Sequence, residues 1–434
     1  MINLGLLLPE IFLSLSVMFL LILGVFKKNS SKLIQNISSI VLLITAVIIF
    51  NETLGIQEIL LFKDSIIIDY LSSLMKIVTL LAAFLVLIIS SNYLRVFKIF
   101  KIEYPILILS SVLGMMIMIS SNDLIVFYMG LELQSLALYV LATFNRDQLK
   151  SSEAGLKYFV LSALSSGLLL YGCSLIYGFT GSTNFNLIAN QLNSNEYALT
   201  FGIVFILVGL AFKISAVPFH MWAPDVYEGS PTSVTLFFTI VPKIAALTVF
   251  IRFLYVPFLN LIDQWQMILV FLSIASMLFG AIAAIGQTNI KRLIAYSSIS
   301  HVGYALAGVA TGSNGGIQSS VIYITIYILM NLGLFSCLLM MKRNNEYYED
   351  ITDLSGLSKN HPMLSLSLLI ILFSLAGIPP LAGFFAKFYI FKSVLEQSMY
   401  FLAIVGLLST VIAAFYYLRI IKIVYFDKEK EKYD

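Results

Sequence analysis

Five lysines interrupt otherwise apolar stretches of the chain: Lys76, Lys157, Lys213, Lys243 and Lys387. On insertion scales a charge at the centre of a bilayer costs about 2.5–3.5 kcal/mol. Five unpaired ammonium groups would cost roughly 12–18 kcal/mol, more than the stability of many whole domains. These lysines must therefore be paired, hydrated or neutral. Lysine suits proton transfer, because desolvation lowers its proton affinity and a nearby carboxylate restores it. Moving the partner loads or unloads the proton.

The carboxylate best placed for that role is Glu132, mid-stretch in "YMGLELQSLALYVLA". Its plain alternative is a structural ion pair locking two helices. Glu153 and Lys157, four residues apart in "SSEAGLKYFVL", share one helix face. They make either the mouth of an aqueous path or a surface pair with a snorkelling lysine. Lys213 lies five residues before Pro218, and Lys243 follows Pro242 directly. Proline frees a backbone carbonyl and kinks a helix, and broken helices at membrane depth line cavities. Lys387 follows a second break, made by Gly377, Pro379 and Pro380 in "LAGIPPLAGFFAKFYIF". His220 and His301 titrate in the right range for a relay, although a lone histidine is more often a satisfied structural residue. Lys76 has no proline neighbour and reads as snorkelling or locally paired. Glu10 lies near the outer end of the first span, a position compatible with the surface, and no role is assigned to it.

The elements that carry these residues follow from composition. Of 434 residues, 59% are hydrophobic and 11% charged, with a mean hydropathy of +0.95. Soluble domains are about 25% charged. Thirteen apolar spans of bilayer-crossing character are expected, at 4–26, 33–50, 67–91, 104–120, 122–144, 153–178, 200–219, 232–254, 265–286, 293–311, 318–341, 363–396 and 399–424. The N-terminal stretch reads as an uncleaved signal anchor, its charges following a long apolar run. Cys173 and Cys337 lie in apolar runs and read as packing residues. No metal-ligand spacing and no nucleic-acid patch is evident.

With residues near a span's end counted on the nearer side, 18 of the 26 basic residues fall on the side of one alternating set of loops, three on the other side, and the five lysines lie within spans. The positive-inside rule puts the N-terminus outside and the C-terminus inside. One inner loop, "HMWAPDVYEGSP", departs from the pattern with Asp225 and Glu228 and no lysine or arginine. The two breaks fall in the seventh and twelfth spans. The fold class expected is thus an all-α polytopic membrane protein with two inverted five-helix repeats, spans 4–8 and 9–13, each with a broken helix. In residues, that is a three-span segment at 1–103, repeats at 104–254 and 265–424, and a charged tail at 425–434.

The stretches "LELQSLALYVLA", "FKISAVPFHMWAPDVYEGSPT", "KRLIAYSSISHVGY" and "AGIPPLAGFFAKFY" resemble the antiporter-like subunits of proton-pumping NADH:ubiquinone oxidoreductase, respiratory complex I, in their chain-2 branch. The resemblance runs from about residue 120 to 420. It implies that Glu132 modulates Lys213 on the first broken helix. Lys243 would bridge to a central hydrophilic axis with His220 and His301 nearby, Lys387 would serve the second repeat, and Lys157 the entry side. It implies no cofactor in this chain, with NADH, flavin mononucleotide, iron–sulfur clusters and ubiquinone in the rest of the complex. The partners implied are further antiporter-like and other membrane-arm subunits, together with membrane lipids. Family members often carry a fourteenth span beyond the thirteen expected here. Abundant Ile, Phe, Tyr, Asn and Lys suggest an AT-rich gene, which favours a mitochondrial inner membrane over a bacterial plasma membrane. Two other readings compete. One is a subunit of a separate cation/proton antiporter; the other is a scaffold with no proton path, which five costly lysines argue against.

Overall fold

A computed structural model describes residues 4–27, 30–53, 57–191, 196–343, 346–347, 349–428 and 433. Parts of four expected loops, at 28–29, 54–56, 192–195, 344–345 and 348, and most of the charged tail lie outside the described residues. The protein is a multi-pass helical membrane protein. Its helices are α1 (Leu8–Phe26), α2 (Ser31–Glu52), α3 (Tyr70–Val96), α4 (Glu103–Ile119), α5 (Leu124–Ala142), α6 (Leu149–Thr180), α7 (Phe185–Asn190), α8 (Glu196–Lys213), α9 (Trp222–Gly229) and α10 (Thr232–Tyr255). They continue with α11 (Ile262–Ile285), α12 (Ile290–Ala310), α13 (Asn314–Met340), α14 (Leu357–Asn360), α15 (Pro362–Ala376), α16 (Ala382–Glu396) and α17 (Tyr400–Phe426).

Among the described residues, ten helices are long and apolar enough to cross a bilayer. Three shorter apolar helices, Glu103–Ile119, Leu199–Lys213 and Pro362–Ala376, coincide with the fourth, seventh and twelfth expected spans. Helices dominate because lipid supplies no hydrogen-bond partner, so each backbone amide must be satisfied within its own segment. The loops add a little β-structure that the all-α expectation did not include. Antiparallel strands β1 (Ile59–Leu61) and β2 (Ile66–Ile68) form one hairpin, and β3 (Lys342–Arg343) with β4 (Glu346–Tyr347) another.

The chain divides into two compact units. The first comprises Met1–Lys213 and Val241–Leu261. Local polar caps set the starts of α3 and α5. Asp69 accepts from the Ser72 amide while the Ser72 hydroxyl takes the Asp69 amide proton, a capping box that opens α3. Asp123 caps α5 through the amides of Ile125 and Val126. In this unit α4 and α5 approach closely at glycines. A Cβ on Gly114 would stand 2.5 Å from the Gln134 backbone nitrogen, and one on Gly130 2.9 Å from that of Met118. Without a hydrophobic force between helices in lipid, such close backbone contact supplies the packing. Arg252, in the last turn of α10, pairs with Asp69 and donates to the Ile119 carbonyl at 2.9 Å. Burial alone would raise the Asp69 carboxyl. The Arg252 guanidinium and the bonds from Ser72 outweigh it and hold the group below its usual value.

The second unit comprises Ile214–Ile240 and Ile262–Asp434. It explains the loop that broke the charge pattern. Asp225 and Glu228 accept from one Arg292 nitrogen, at 2.7 and 3.1 Å. The acids are balanced by a basic residue brought from the start of α12, not by one in their own loop. Beside them the buried Lys291 meets Glu349 at 2.6 Å and donates to the Ser230 carbonyl at 3.0 Å. Asn289 caps α12, and the Ile290 amide donates to the Glu349 carbonyl.

Candidate functional site

Both expected breaks are present. Helix α8 ends at Lys213, and the chain is irregular through 214–221 before α9. Pro218 lies in this segment, as expected. Helices α15 and α16 flank the second break at 377–381, which holds Gly377, Pro379 and Pro380.

Around the first break, helix ends and hydroxyls define the site. Lys213 is the last residue of α8 and only 7% exposed. A cation at a helix C-terminus is favoured by the unpaired carbonyls there. Its Nζ donates to Ser135 Oγ and Ser162 Oγ, both at 2.7 Å, and lies 5.7 Å from the Tyr139 ring centroid. The Tyr139 hydroxyl donates to the same Ser162 Oγ at 2.6 Å. Glu132 is one turn from Ser135 on α5. Its carboxylate accepts from Ser166 Oγ, which also reaches the Tyr128 hydroxyl at 3.2 Å. Ser162 and Ser166 stand on successive turns of α6. No direct ion pair joins Lys213 to Glu132, although the two are near enough to interact electrostatically. The ammonium and the carboxylate are instead each held by serine hydroxyls on one face of α6.

Around the second break the lysine reaches back. Lys387 is on α16, yet its Nζ donates to the carbonyls of Leu375 and Ala376 at 3.2 and 3.0 Å. These belong to the last turn of α15, whose carbonyls lack helical partners. Both lysines therefore serve the C-terminal end of a first half-helix, one by sequence position and one by reach. Gly377 makes the reach possible. It has φ +88°, and a Cβ there would stand 3.0 Å from Lys387 Cδ. Lys387 Nζ lies 5.1 Å from the Tyr304 ring centroid. It borders a largely apolar groove of about 670 Å³ that also meets Phe384, Phe391, Leu407 and Thr410.

The other expected residues are placed as follows. Lys243 is 2% exposed in the middle of α10, beside Pro242 within the helix. His220 is half-buried in the first break and packs edge-on against Phe279, centroids 4.6 Å apart. His301 is buried on α12 and bonded by tyrosine hydroxyls. Glu153 and Lys157 form the expected pair at 2.8 Å with both side chains well exposed, a geometry worth about 0.3–0.5 kcal/mol. Lys76 does not snorkel. It pairs at 2.5 Å with Glu10, which is 13% exposed rather than a surface residue. The partner lies 66 positions away on α1, so no reading of one span at a time finds it.

The hydroxyls of Ser135, Tyr139, Ser162 and Ser166 escaped the sequence reading. A signal was available: Glu132, Ser135 and Tyr139 recur at helical spacing, as do Ser162 and Ser166. In an apolar helix, however, serine commonly bonds its own turn, as Ser135 also does with the Leu131 carbonyl.

Comparison with known proteins adds an independent line. The family described as NADH:quinone oxidoreductase/Mrp antiporter, membrane region, matches residues 121–413. The NADH-quinone oxidoreductase subunit N of Pelagibacter ubique (strain HTCC1062) is 77% identical over 432 residues, 100% of this chain and 92% of the relative. The subunit of the same name from Rhodospirillum rubrum is 52% identical over 435 residues, covering 99% and 89%. Among solved structures, a chain of respiratory complex I from Thermus thermophilus with bound aureothin superposes with a TM-score of 0.84 at 30% identity, over 98% of this chain and 91% of that one. A chain of the Mrp complex from Dietzia sp. shares the fold, with a TM-score of 0.86 at 23% identity over 99% and 81%. These relatives are bacterial, which corrects the expectation of a mitochondrial type. An AT-rich composition reflects base usage, which organelle and bacterial genes can share, so it carries no address.

Proposed function

This chain belongs to the NADH:quinone oxidoreductase/Mrp antiporter membrane family, and from that membership we propose that it is a proton-translocating membrane-arm subunit of a respiratory NADH:quinone oxidoreductase. Its relatives' name supports the assembly. The observation that carries the proton reading is the first break. A buried lysine at a helix end shares one serine-lined helix face with a glutamate that it does not touch. Such a pair has two arrangements. With the carboxylate close, the ammonium is stabilised; with it withdrawn, burial favours proton release. Lys213 is the carrier and Glu132 its modulator. Lys243 and Lys387 carry the proton further, with His220 and His301 in support and Glu153–Lys157 on the uptake side. The subunit contributes to the enzyme without a redox centre of its own. NADH, flavin mononucleotide, iron–sulfur clusters and quinone belong to other subunits, and further antiporter-like subunits are its neighbours.

Lys213, which ends α8, and Lys387, which reaches the end of α15, each mark the C-terminal end of a first half-helix, and this supports the inverted repeats at 104–254 and 265–424. The bacterial relatives favour a bacterial plasma membrane, and the loop charges favour an outer N-terminus and an inner C-terminus. A separate cation/proton antiporter is the second reading, favoured by the Mrp likeness in fold.

Native gel separation of a mild detergent extract, with mass spectrometry of the band holding this chain, decides the assembly. Flavin and iron–sulfur subunits with NADH oxidation are expected; a small band with only multi-span partners overturns the reading. In the assembled complex, Lys213→Ala and Glu132→Gln are expected to lower proton pumping and coupled quinone reduction together, with Glu132→Asp milder. Loss of the assembled complex instead would make the pair structural.

A further inference from the structure

On the side of the basic loops, three connections of the first unit meet around Gly24. A Cβ on Gly24, near the end of α1, would stand 2.8 Å from Ile102 Cδ1 and 3.2 Å from Ile34 Cδ1. Ile34 lies at the start of α2, and Ile102 directly precedes α4. The residues beside these contacts are basic. Lys27 follows α1, Lys32 is in the first turn of α2, and Lys101 precedes Ile102. Arg95, in the last turn of α3, lies over the Phe100 ring, 5.0 Å from its centroid. Lys98, between these two in the chain, has φ +56°. Glycine takes that left-handed position without strain, yet a cation stands there. Ile99 is buried, whereas Lys98 and Lys101 are exposed.

All five cations are exposed, and among the described residues none of them forms an ion pair. Glu103 is the one acid among the described residues of these connections. Elsewhere basic residues are matched: Arg292 has Asp225 and Glu228, and Lys291 has Glu349. The start of α2 adds to the excess. Its N-cap, Ser30, makes no side-chain cap bond, and its buried hydroxyl has no partner among the described residues. Uncapped amides at a helix start favour an anion. Directly before Lys27, Val25 and Phe26 are 79% and 85% exposed, and Met18, Phe19 and Ile22 continue an exposed apolar face along α1. A free phosphate would use the cations and leave this face bare. An acidic protein loop would do the same. A phospholipid with an anionic headgroup uses both at once.

We propose that the ends of α1, α2 and α3 bind an anionic glycerophospholipid. Its phosphate sits among Lys27, Lys32, Lys98 and Lys101 at the start of α2, with Arg95 at the edge. Its acyl chains lie along α1 beside Val25 and Phe26. Basic residues at a membrane surface attract anionic lipid, and the attraction fades within a Debye length. Binding should therefore weaken as salt is raised. The lipid site uses none of the residues of the proposed proton path, so either can stand without the other.

The test uses whatever complex mild detergent extracts with this chain, placed in phosphatidylcholine nanodiscs. The probe is phosphatidylglycerol with a diazirine on one acyl chain, read by photolysis and peptide mass spectrometry. The expected label falls on the end of α1, at Val25 and Phe26. Unlabelled phosphatidylglycerol should compete it away, and glycerol phosphate should not. Lys27→Gln with Lys101→Gln is expected to weaken labelling roughly 25-fold at limiting probe, about fivefold for each charge removed. Lys27→Arg with Lys101→Arg keeps the charges and should label like the wild type. Should the glutamine pair fail to assemble, competition on the wild type still decides. Equal labelling by a phosphatidylcholine carrying the same diazirine, or unchanged labelling of the glutamine pair, overturns the site. Full competition by glycerol phosphate reduces it to a free-phosphate site and overturns the lipid. A carbodiimide cross-link from Lys27 or Lys101 to a carboxylate of another subunit, with no lipid label, makes the patch a protein interface and overturns it too.

Discussion

At the scale of the residue, Lys213 and Lys387 are explained by what stabilises their charge. Lys213 has two serine hydroxyls and a tyrosine face, and Lys387 has two helix-end carbonyls and a tyrosine face. Among the described residues neither has a direct carboxylate partner, so each can give up its proton without stranding an anion. Lys76 is different. Its contact with Glu10 is direct, and the second Glu10 oxygen is buried without a hydrogen-bond partner among the described residues. Breaking a buried pair by removing one partner costs about 3–5 kcal/mol, whereas replacing both can be nearly neutral. Lys76→Met is therefore expected to destabilise the chain by about 3 kcal/mol. The double variant Glu10→Gln, Lys76→Met should recover most of that, with proton pumping near wild type. Thermal unfolding and pumping assays check this, and a stable double variant that cannot pump would move Lys76 into the proton path.

At the scale of the element, the breaks matter because they end helices inside the bilayer. An interrupted helix exposes carbonyls that a cation can satisfy. The second break depends on Gly377, whose left-handed φ and missing Cβ leave room for Lys387. Gly377→Ala should cost about 1–3 kcal/mol from backbone strain and push the lysine stem away from the Leu375 and Ala376 carbonyls. The expected outcome is lowered pumping in an assembled but less heat-stable complex. Wild-type pumping with an unchanged melting temperature would show that neither the turn nor the lysine position depends on this glycine.

At the scale of the whole molecule, stability should carry a signature of the Asp69–Arg252 pair, which ties the start of α3 to the end of α10 within the first unit. The Asp69 carboxyl is held below its ordinary value of 3.8. A depressed carboxylate contributes stability above its unfolded value and loses it as pH falls through the folded value. Thermal unfolding of the wild type should thus lose this contribution as pH falls below about 3.9. Asp69→Asn should be less stable near neutrality, where Arg252 loses its anion, and should show a shallower decline on acidification. Parallel pH profiles for the two proteins would remove the pair from the account of stability.

The sequence by itself determined the membrane class, the two breaks, the buried lysines and the charge alternation of the loops. These follow from local composition and from the cost of charge in lipid, which act on each segment separately. It also marked Glu132 and Lys213 as the residues to compare. Only the tertiary structure decided what lies between them: serines of α5 and α6 that hold the two groups apart. It likewise paired Lys76 with Glu10, balanced Asp225 and Glu228 with Arg292, and joined His301 to tyrosines from two other helices. These partners lie tens to more than a hundred positions apart in the chain. In an apolar helix one polar side chain resembles another until packing decides which of them meet.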